Sequence, residues 1–337
     1  LKLKIGLMLL VTVSLVLVSV ALCSAADVVV YTSVDQVYSE PVLKAFEKKT
    51  GIKVKALYDV EAAKTVGLVN RLIAEKDRPQ ADVFWNSEVG RTIVLSQKGV
   101  LTPYKSKYWK TIPDTFKDKN YYWTGFGARA RVLIYNTNML KSRDLPKSIF
   151  ELTEPKWKGK VTIAYPVFGT TSTQVAALYS LLGIEKTERF LRGLVNNKAV
   201  VVDGNSVTRD VVVAGEVPIG FTDTDDAFVA ITQGKPVKML YPDKEGIGTL
   251  LIPNTVALIK NGPNAENGRK LIDYLLSEEV ESSLAFSEFA LMPLRKNVKR
   301  PAGMVGFNEI RTMKVDYYDI AAKMEGAAKF CQELFVK

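Results

Sequence analysis

From residue 27 onward, short runs of branched apolar residues alternate with stretches whose apolar side chains recur every three to four positions. This is the pattern of an α/β protein, because strands covered on both faces read as continuous apolar runs while connecting helices need one apolar stripe. The first strand is expected over 27–31. Val42, Leu43 and Phe46 line one face of the next helix, and Gly51 ends it, since glycine accepts the left-handed backbone that closes a helix. Ile52, Val54 and Ala56 then alternate with Lys53 and Lys55 as a half-exposed strand. A helix over 61–76 turns Val66, Val69, Leu72 and Ile73 inward and leads to a buried strand over 81–85. Further strands are expected over 131–135, 160–164, 200–202, 218–221 and 255–259. Helices are expected over 172–182, 187–195, 207–214, 225–232, 265–276 and 316–335. The 337 residues suffice for two domains, and with no Pro/Ser-rich linker between them, two lobes would connect through strands.

Histidine is absent, which excludes Ser-His-Asp and Cys-His nucleophiles, His-ligated zinc and proximal-His haem. Two cysteines make no disulfide framework. Residues 1–26 read as a secretory signal peptide: Lys2 and Lys4 precede an apolar run from Ile5 to Leu22, and small residues end at Ala26. A retained membrane anchor and a lipid-modified Cys23 are the alternatives. Cleavage near Ala26 would leave a periplasmic chain with one thiol, Cys331, expected to pack on a C-terminal helix. Removing Lys2 and Lys4 lowers the formal charge from +10 to +8. The remaining lysines are scattered without a dense basic run or aromatic platforms, so no nucleic-acid partner is expected.

In open α/β sheets, ligands bind beyond the carboxyl ends of strands. The polar segments there are Thr32-Ser33-Val34-Asp35, Asp59-Val60-Glu61, Asn86-Ser87-Glu88, Gly169-Thr170-Thr171-Ser172-Thr173, Asp203-Gly204-Asn205-Ser206 and Thr222-Asp223-Thr224-Asp225-Asp226. Thr170 and Thr171 at a helix start are anion donors, or Thr171 or Ser172 simply caps the helix. Asn205 carries the same ambiguity. Asp223, Asp225 and Asp226 could accept from an amine or hydroxyls, or coordinate a hard cation; Thr224 as a cap with acids in the first turn is the plainer reading. Arg129 and Arg131 straddle a strand start, so one is expected to enter a cleft and the other to point away. Tyr317 and Tyr318 are expected to pack or cover surface.

Several segments together resemble a known family. They are Val28-Val29-Val30-Tyr31-Thr32-Ser33, Gln80-Ala81-Asp82-Val83-Phe84-Trp85, Gly99-Val100-Leu101-Thr102-Pro103-Tyr104, Gly215-Glu216-Val217-Pro218-Ile219-Gly220 and Ile252-Pro253-Asn254-Thr255-Val256-Ala257. The chain is similar to the periplasmic ferric-iron-binding-type solute-binding proteins of bacterial ABC importers, in extracellular solute-binding protein family 1. The resemblance implies a two-lobed periplasmic-binding-protein-like fold of type II, with lobes joined by hinge strands. It places lobe one over 27–128 and 252–300, lobe two over 129–251, and a C-terminal helical segment over 301–337. Ferric members use a first-loop histidine, a glutamate on a helix of the first lobe and two adjacent tyrosines. Counted from Gly215-Glu216-Val217, the tyrosine pair falls on Asp225 and Asp226; the histidine falls near Asp35, and Glu61 is the nearest acid for the glutamate. Carboxylates therefore stand where the family has phenolates, and the histidine is missing.

The expected function is capture of a small polar solute for delivery to an inner-membrane ABC permease, by a monomer with no catalytic cofactor. The solute is a phosphorylated or phosphonate-type compound, or an iron-type metal with an anion, held by Asp225 and Asp226 if a metal is bound. The ligand-binding set is Thr32, Ser33, Asp35, Glu61, Asn86, Glu88, Arg129, Thr170, Thr171, Asn205, Asp223, Asp225 and Asp226. The alternatives are a periplasmic hydrolase or transferase using carboxylates such as Glu61, Glu88 or Asp225, and a sensor presenting its loaded form to a membrane receptor.

Overall fold

A computed structural model describes residues 27–59 and 66–335; the expected leader and Glu61 lie outside them. The first half opens with β1 (Asp27–Thr32), flanked in parallel by β2 (Lys53–Tyr58) and β3 (Val83–Asn86). Helices α1 (Gln36–Thr50), α2 (Val66–Ala74) and α3 (Val89–Gln97) follow these strands in turn. The two-residue β4 (Leu101–Thr102) precedes β5 (Thr124–Asn136), all thirteen residues of which are buried.

The second half contains β6 (Val161–Ala164), α4 (Gly169–Asn196), β7 (Val200–Val202), α5 (Asn205–Ala214), β8 (Ile219–Asp223), α6 (Thr224–Thr232) and β9 (Val237–Leu240). The chain then returns along β10 (Leu251–Ile259) and ends with α7 (Ala265–Leu275), α8 (Glu278–Phe286) and α9 (Tyr317–Leu334). Sheet order is β2-β1-β3-β10-β5-β8-β6-β7, with β4 on β10 and β9 on β5.

Strand β5 serves both halves. Up to Ala130 it pairs antiparallel with β10; from Arg131 it pairs with β8, and from Leu133 with β9 as well. Such a strand carries its residues from one half into the other without a loose segment, and its side chains alternate between faces. Val28, Phe46, Trp85, Phe126 and Leu271 pack together on one side of the first half. A second core runs from Phe84 and Ile93 through Leu133 and Ile134 to Ile219 and Met324.

Differences from the sequence reading are local. Helix α4 is two helical segments that meet at Gly183 (φ 77, ψ 178), the glycine expected to end the first of them. It starts at Gly169 and α5 starts at Asn205, two or three residues earlier than the apolar pattern indicates. Threonine, serine and asparagine are weak helix formers, so apolar periodicity begins only after the first turn. The short elements α3, α8, β4 and β9 carry too few periodic residues to stand out. Helix α8 is held at its start by Ser277, whose Oγ accepts from Val280 N at 3.3 Å, and three glutamates in its first turn suit the helix dipole.

Helix α9 lies against both α3 and α4, so the C-terminal segment bridges the two halves. Its Met324 occupies the space a side chain at Gly90 would need. Cys331 is buried and free, its thiol pushed up to about 12 by burial, as expected of a packed residue. Tyr317 is buried with its hydroxyl donating to Leu251 O (2.7 Å), and the Tyr318 hydroxyl donates to Asp118 Oδ1 (2.5 Å), so both are structural. Among the described residues no helix is long and apolar enough to cross a membrane.

Candidate functional site

Helices α4, α5 and α6 begin side by side, at the carboxyl ends of β6, β7 and β8. The residues just before α4 and α5, Phe168 and Gly204, give no side-chain cap, so the first amides of both helices face the space between the halves without one. A cleft of about 100 Å³ opens there, with Gly169, Thr170, Thr171, Asp203, Asn205, Ser206, Arg209, Asp225 and Asp226 on one side. Asp35, Tyr38 and Ser87 face them, with Arg129 between.

The three helix starts are tied by one buried arginine. Arg131 Nη1 donates to Asp223 Oδ1 (2.8 Å), Asn205 Oδ1 (3.0 Å) and Thr170 Oγ1 (3.3 Å). Asp223 Oδ2 accepts from the Thr170 hydroxyl (2.5 Å) and from Asn205 Nδ2 (3.0 Å). The Thr171 hydroxyl donates to Asn205 Oδ1 (3.2 Å). The threonine hydroxyls are therefore engaged inside their own half, and an anion at this helix start would meet backbone amides instead.

Arg129 and Arg131 do not point apart. Residues two apart on a strand share a face, so both guanidinium groups reach Asp223, correcting the expectation that one turns away. Arg129 lies 3.5 Å from Asp225 Oδ2 and 3.8 Å from Asp223 Oδ2, with its guanidinium 5.1 Å from the centre of the Phe289 ring. Arg129 Nε and Asp225 Oδ1 are buried atoms with no hydrogen-bond partner. Both residues line the cleft, so a ligand entering it comes beside groups whose hydrogen-bonding capacity is not fully used.

The electrostatics follow from crowding. Burial, and then the charges of Asp225 and Asp223, push the Asp226 carboxyl well above the ordinary carboxylate range. Asp225 is raised by burial, partly offset by Arg129. Burial works against the charge on Arg129, but Asp225, Asp223, Asp226 and Asp35 outweigh it and raise its pKa. Tyr38 is raised by burial and by Asp225, Asp226 and Asp35, which keeps its hydroxyl protonated and able to donate. Its ring stacks on Phe289 with centroids 4.7 Å apart.

The first half uses its polar residues differently from the sequence expectation. Thr32, Ser33, Asn86 and Glu88 are buried and bonded to the protein. Thr32 Oγ1 accepts from Val34 N (3.1 Å), and the Ser33 hydroxyl donates to Asn86 Oδ1 (2.6 Å). Glu88 caps α3 by accepting from Gly90 N (2.6 Å) and Arg91 N (2.8 Å), and the Thr173 hydroxyl of α4 reaches it at 3.1 Å. These four shape the loops, while Asp35 reaches the cleft. Tyr38, Ser87 and Arg209 also line the cleft, outside the expected ligand-binding set. Tyr38 is three residues after Asp35 and Arg209 four after Asn205, so helical spacing was the available signal.

Oxygens of Asp223, Asp225 and Asp226 lie within 4.8 Å of one another, the one such acidic group among the described residues. Asp223 is consumed by Arg131, Thr170 and Asn205, which leaves two carboxylates facing Arg129 and Arg209. That donor set does not fit a bare metal ion. A roomier groove of about 390 Å³ between α1 and α8 is lined by Val37, Pro41, Val42, Tyr274 and Leu284. Its lining is mainly apolar and offers no comparable buried charge, so the smaller cleft is the better candidate for a polar ligand.

Residues 82–310 match the family described as bacterial extracellular solute-binding protein. The chain is similar to Iron uptake protein A1 of Synechocystis sp., 28% identical over 300 residues that cover 86% of this chain and 81% of that protein. Its fold is similar to iron-bound HitA from Pseudomonas aeruginosa (TM-score 0.83, 25% identity, 91% of this chain and 99% of that one). It also matches the fold of AfuA from Actinobacillus pleuropneumoniae, solved with fructose-6-phosphate (TM-score 0.80, 22% identity, 92% and 99% coverage).

Proposed function

This chain belongs to the bacterial extracellular solute-binding proteins, a family of transport components and not of enzymes, and from that membership we propose what its cleft captures. The cargo is a small solute carrying a phosphate- or phosphonate-type anion together with an amine or hydroxyl groups. The observation that carries this reading is that Arg129 and Asp225, a cation and an acid each with one hydrogen-bonding atom left without a partner, line the same cleft. A ligand with both an anion and a donor satisfies both; a simple anion or a simple cation leaves one unmet.

In this reading the amides at the start of α4 and α5, with Arg129 and Arg209, receive the anion. Asp225 and Asp226 accept from the amine or hydroxyls, and Tyr38 and Asp35 close from the other side. Lobe one comprises 27–128 and 252–300, lobe two comprises 129–251, and β5 and β10 are the hinge strands. Closure excludes water and strengthens each polar contact. The loaded protein delivers its solute to an inner-membrane ABC permease, after export under the leader and cleavage near Ala26, and acts as a monomer.

Iron is the second reading, favoured by the relatives named for it. Here it would enter as a complex with an anion, the metal on Asp225 and Asp226 and the anion on Arg129. Native mass spectrometry of the protein as isolated, with calorimetry against phosphoethanolamine, glucose 6-phosphate and ferric citrate, separates the two. Asp225→Ala with Asp226→Ala should abolish binding of the true cargo. Unchanged affinity in that variant removes both residues from the site.

A further inference from the structure

The acidic end of the cleft has the oxygens of a hard-cation site but not its charge. Asp223, Asp225 and Asp226 offer three carboxylates within 4.8 Å, a group that in isolation would attract a cation. Two arginines of β5 stand among them. Arg131 takes Asp223 Oδ1 at 2.8 Å, and Thr170 and Asn205 take its other oxygen, so the lone pairs a metal needs are used. Arg129 stands 3.5 Å from Asp225 and 3.8 Å from Asp223, close enough to neutralise but without a hydrogen bond that consumes Asp225 Oδ1.

Neither cation can easily leave. Both are buried, on a strand paired along its two edges, Arg131 over the Phe221 ring (4.5 Å) and Arg129 over Phe289 (5.1 Å). A metal ion arriving alone would meet three carboxylates whose charge is already matched by Arg129, Arg131 and, 3.8 Å from Asp226, Arg209.

We propose that Arg129 and Arg131 are specificity-determining residues that make this cleft refuse an unaccompanied metal cation. The inference rests on the cleft being the solute site. Arg131 acts by withdrawing Asp223, and Arg129 by balancing Asp225 and Asp226.

The test is titration with terbium(III) chloride in buffer free of phosphate and carboxylates, read by calorimetry. The wild type is expected to show no saturable binding that depends on Asp225 and Asp226. Arg129→Met should gain affinity by roughly tenfold or more, as removal of one nearby charge implies. The gain should vanish when Asp225→Asn and Asp226→Asn are added. Arg129→Lys keeps the charge and should stay as weak as the wild type. Arg131→Met with Asp223→Asn removes one charge of each sign and should show no gain.

Tight terbium binding by the wild type that is lost in the Asp225→Asn, Asp226→Asn variant overturns the proposal. So does a folded Arg129→Met protein, judged by near-UV circular dichroism, that gains nothing. The solute reading fails separately: if no phosphorylated solute binds the wild type while Arg129→Met still gains terbium, that reading falls and this inference stands.

Discussion

Arg131 and Asp223 sit directly opposite each other in the antiparallel pairing of β5 with β8, and their side chains meet at 2.8 Å with almost no exposure to water. Strand register therefore sets the ion pair, and the pair sets the helix starts, because Asp223 leads into α6 and also grips Thr170 of α4 and Asn205 of α5. A buried pair of this kind adds little net stability compared with apolar residues, but removing one partner strands the other.

Arg131→Met should accordingly destabilise the protein by about 3–5 kcal/mol. Adding Asp223→Asn should recover a substantial part, since the stranded charge is gone. Urea denaturation of the two single variants and the double variant checks this, and a coupling near zero would show that the two residues act independently.

Asp226 should cost stability in the free protein. Its folded pKa lies above its unfolded value, as does that of Asp225, so the native state holds protons that the unfolded chain releases. Stability from these groups is then fully present below the unfolded carboxylate range and falls as pH rises through the raised values. Asp226→Asn should stabilise the ligand-free protein by ~1 kcal/mol at neutral pH. The difference should close towards about pH 3, where both states are protonated. Urea melts between these limits decide it, and a variant less stable than the wild type at neutral pH contradicts the argument.

Gly90 is needed for close approach. A methyl group there would overlap Met324 of α9 and crowd the Glu88 carboxylate. Gly90→Ala should cost about 1–3 kcal/mol, as overpacking does. Combination with Met324→Ala should restore part of the loss. Thermal melts of both proteins test the prediction, and equal loss in each would place the strain elsewhere.

Thr173→Val keeps shape but removes the hydroxyl that α4 offers to buried Glu88 at 3.1 Å. The expected cost is about 1–2 kcal/mol. Because this bond joins helices from the two halves, amide exchange in the first turn of α3 should quicken in the variant. Unchanged exchange with unchanged stability would mean that the contact contributes nothing.

The sequence by itself determined the strand and helix alternation, the ends of helices at Gly51, Gly183 and Gly215, and the polar segments at the carboxyl ends of strands. These rest on local physics: side-chain periodicity, the backbone freedom of glycine and charge clustering within a few residues. It also brought forward Arg129, Asn205, Asp225 and Asp226, which line the cleft. Only the tertiary structure decided which polar residues look inward. Thr32, Ser33, Asn86 and Glu88 are as polar as their neighbours, yet they bond to the protein, whereas Ser87 beside them faces the cleft. Tyr38 entered through a helix turn and a stack on Phe289, far away in sequence. Arg131 meets Asp223 across 92 positions because two strands happen to be in that register, and no local pattern encodes a register.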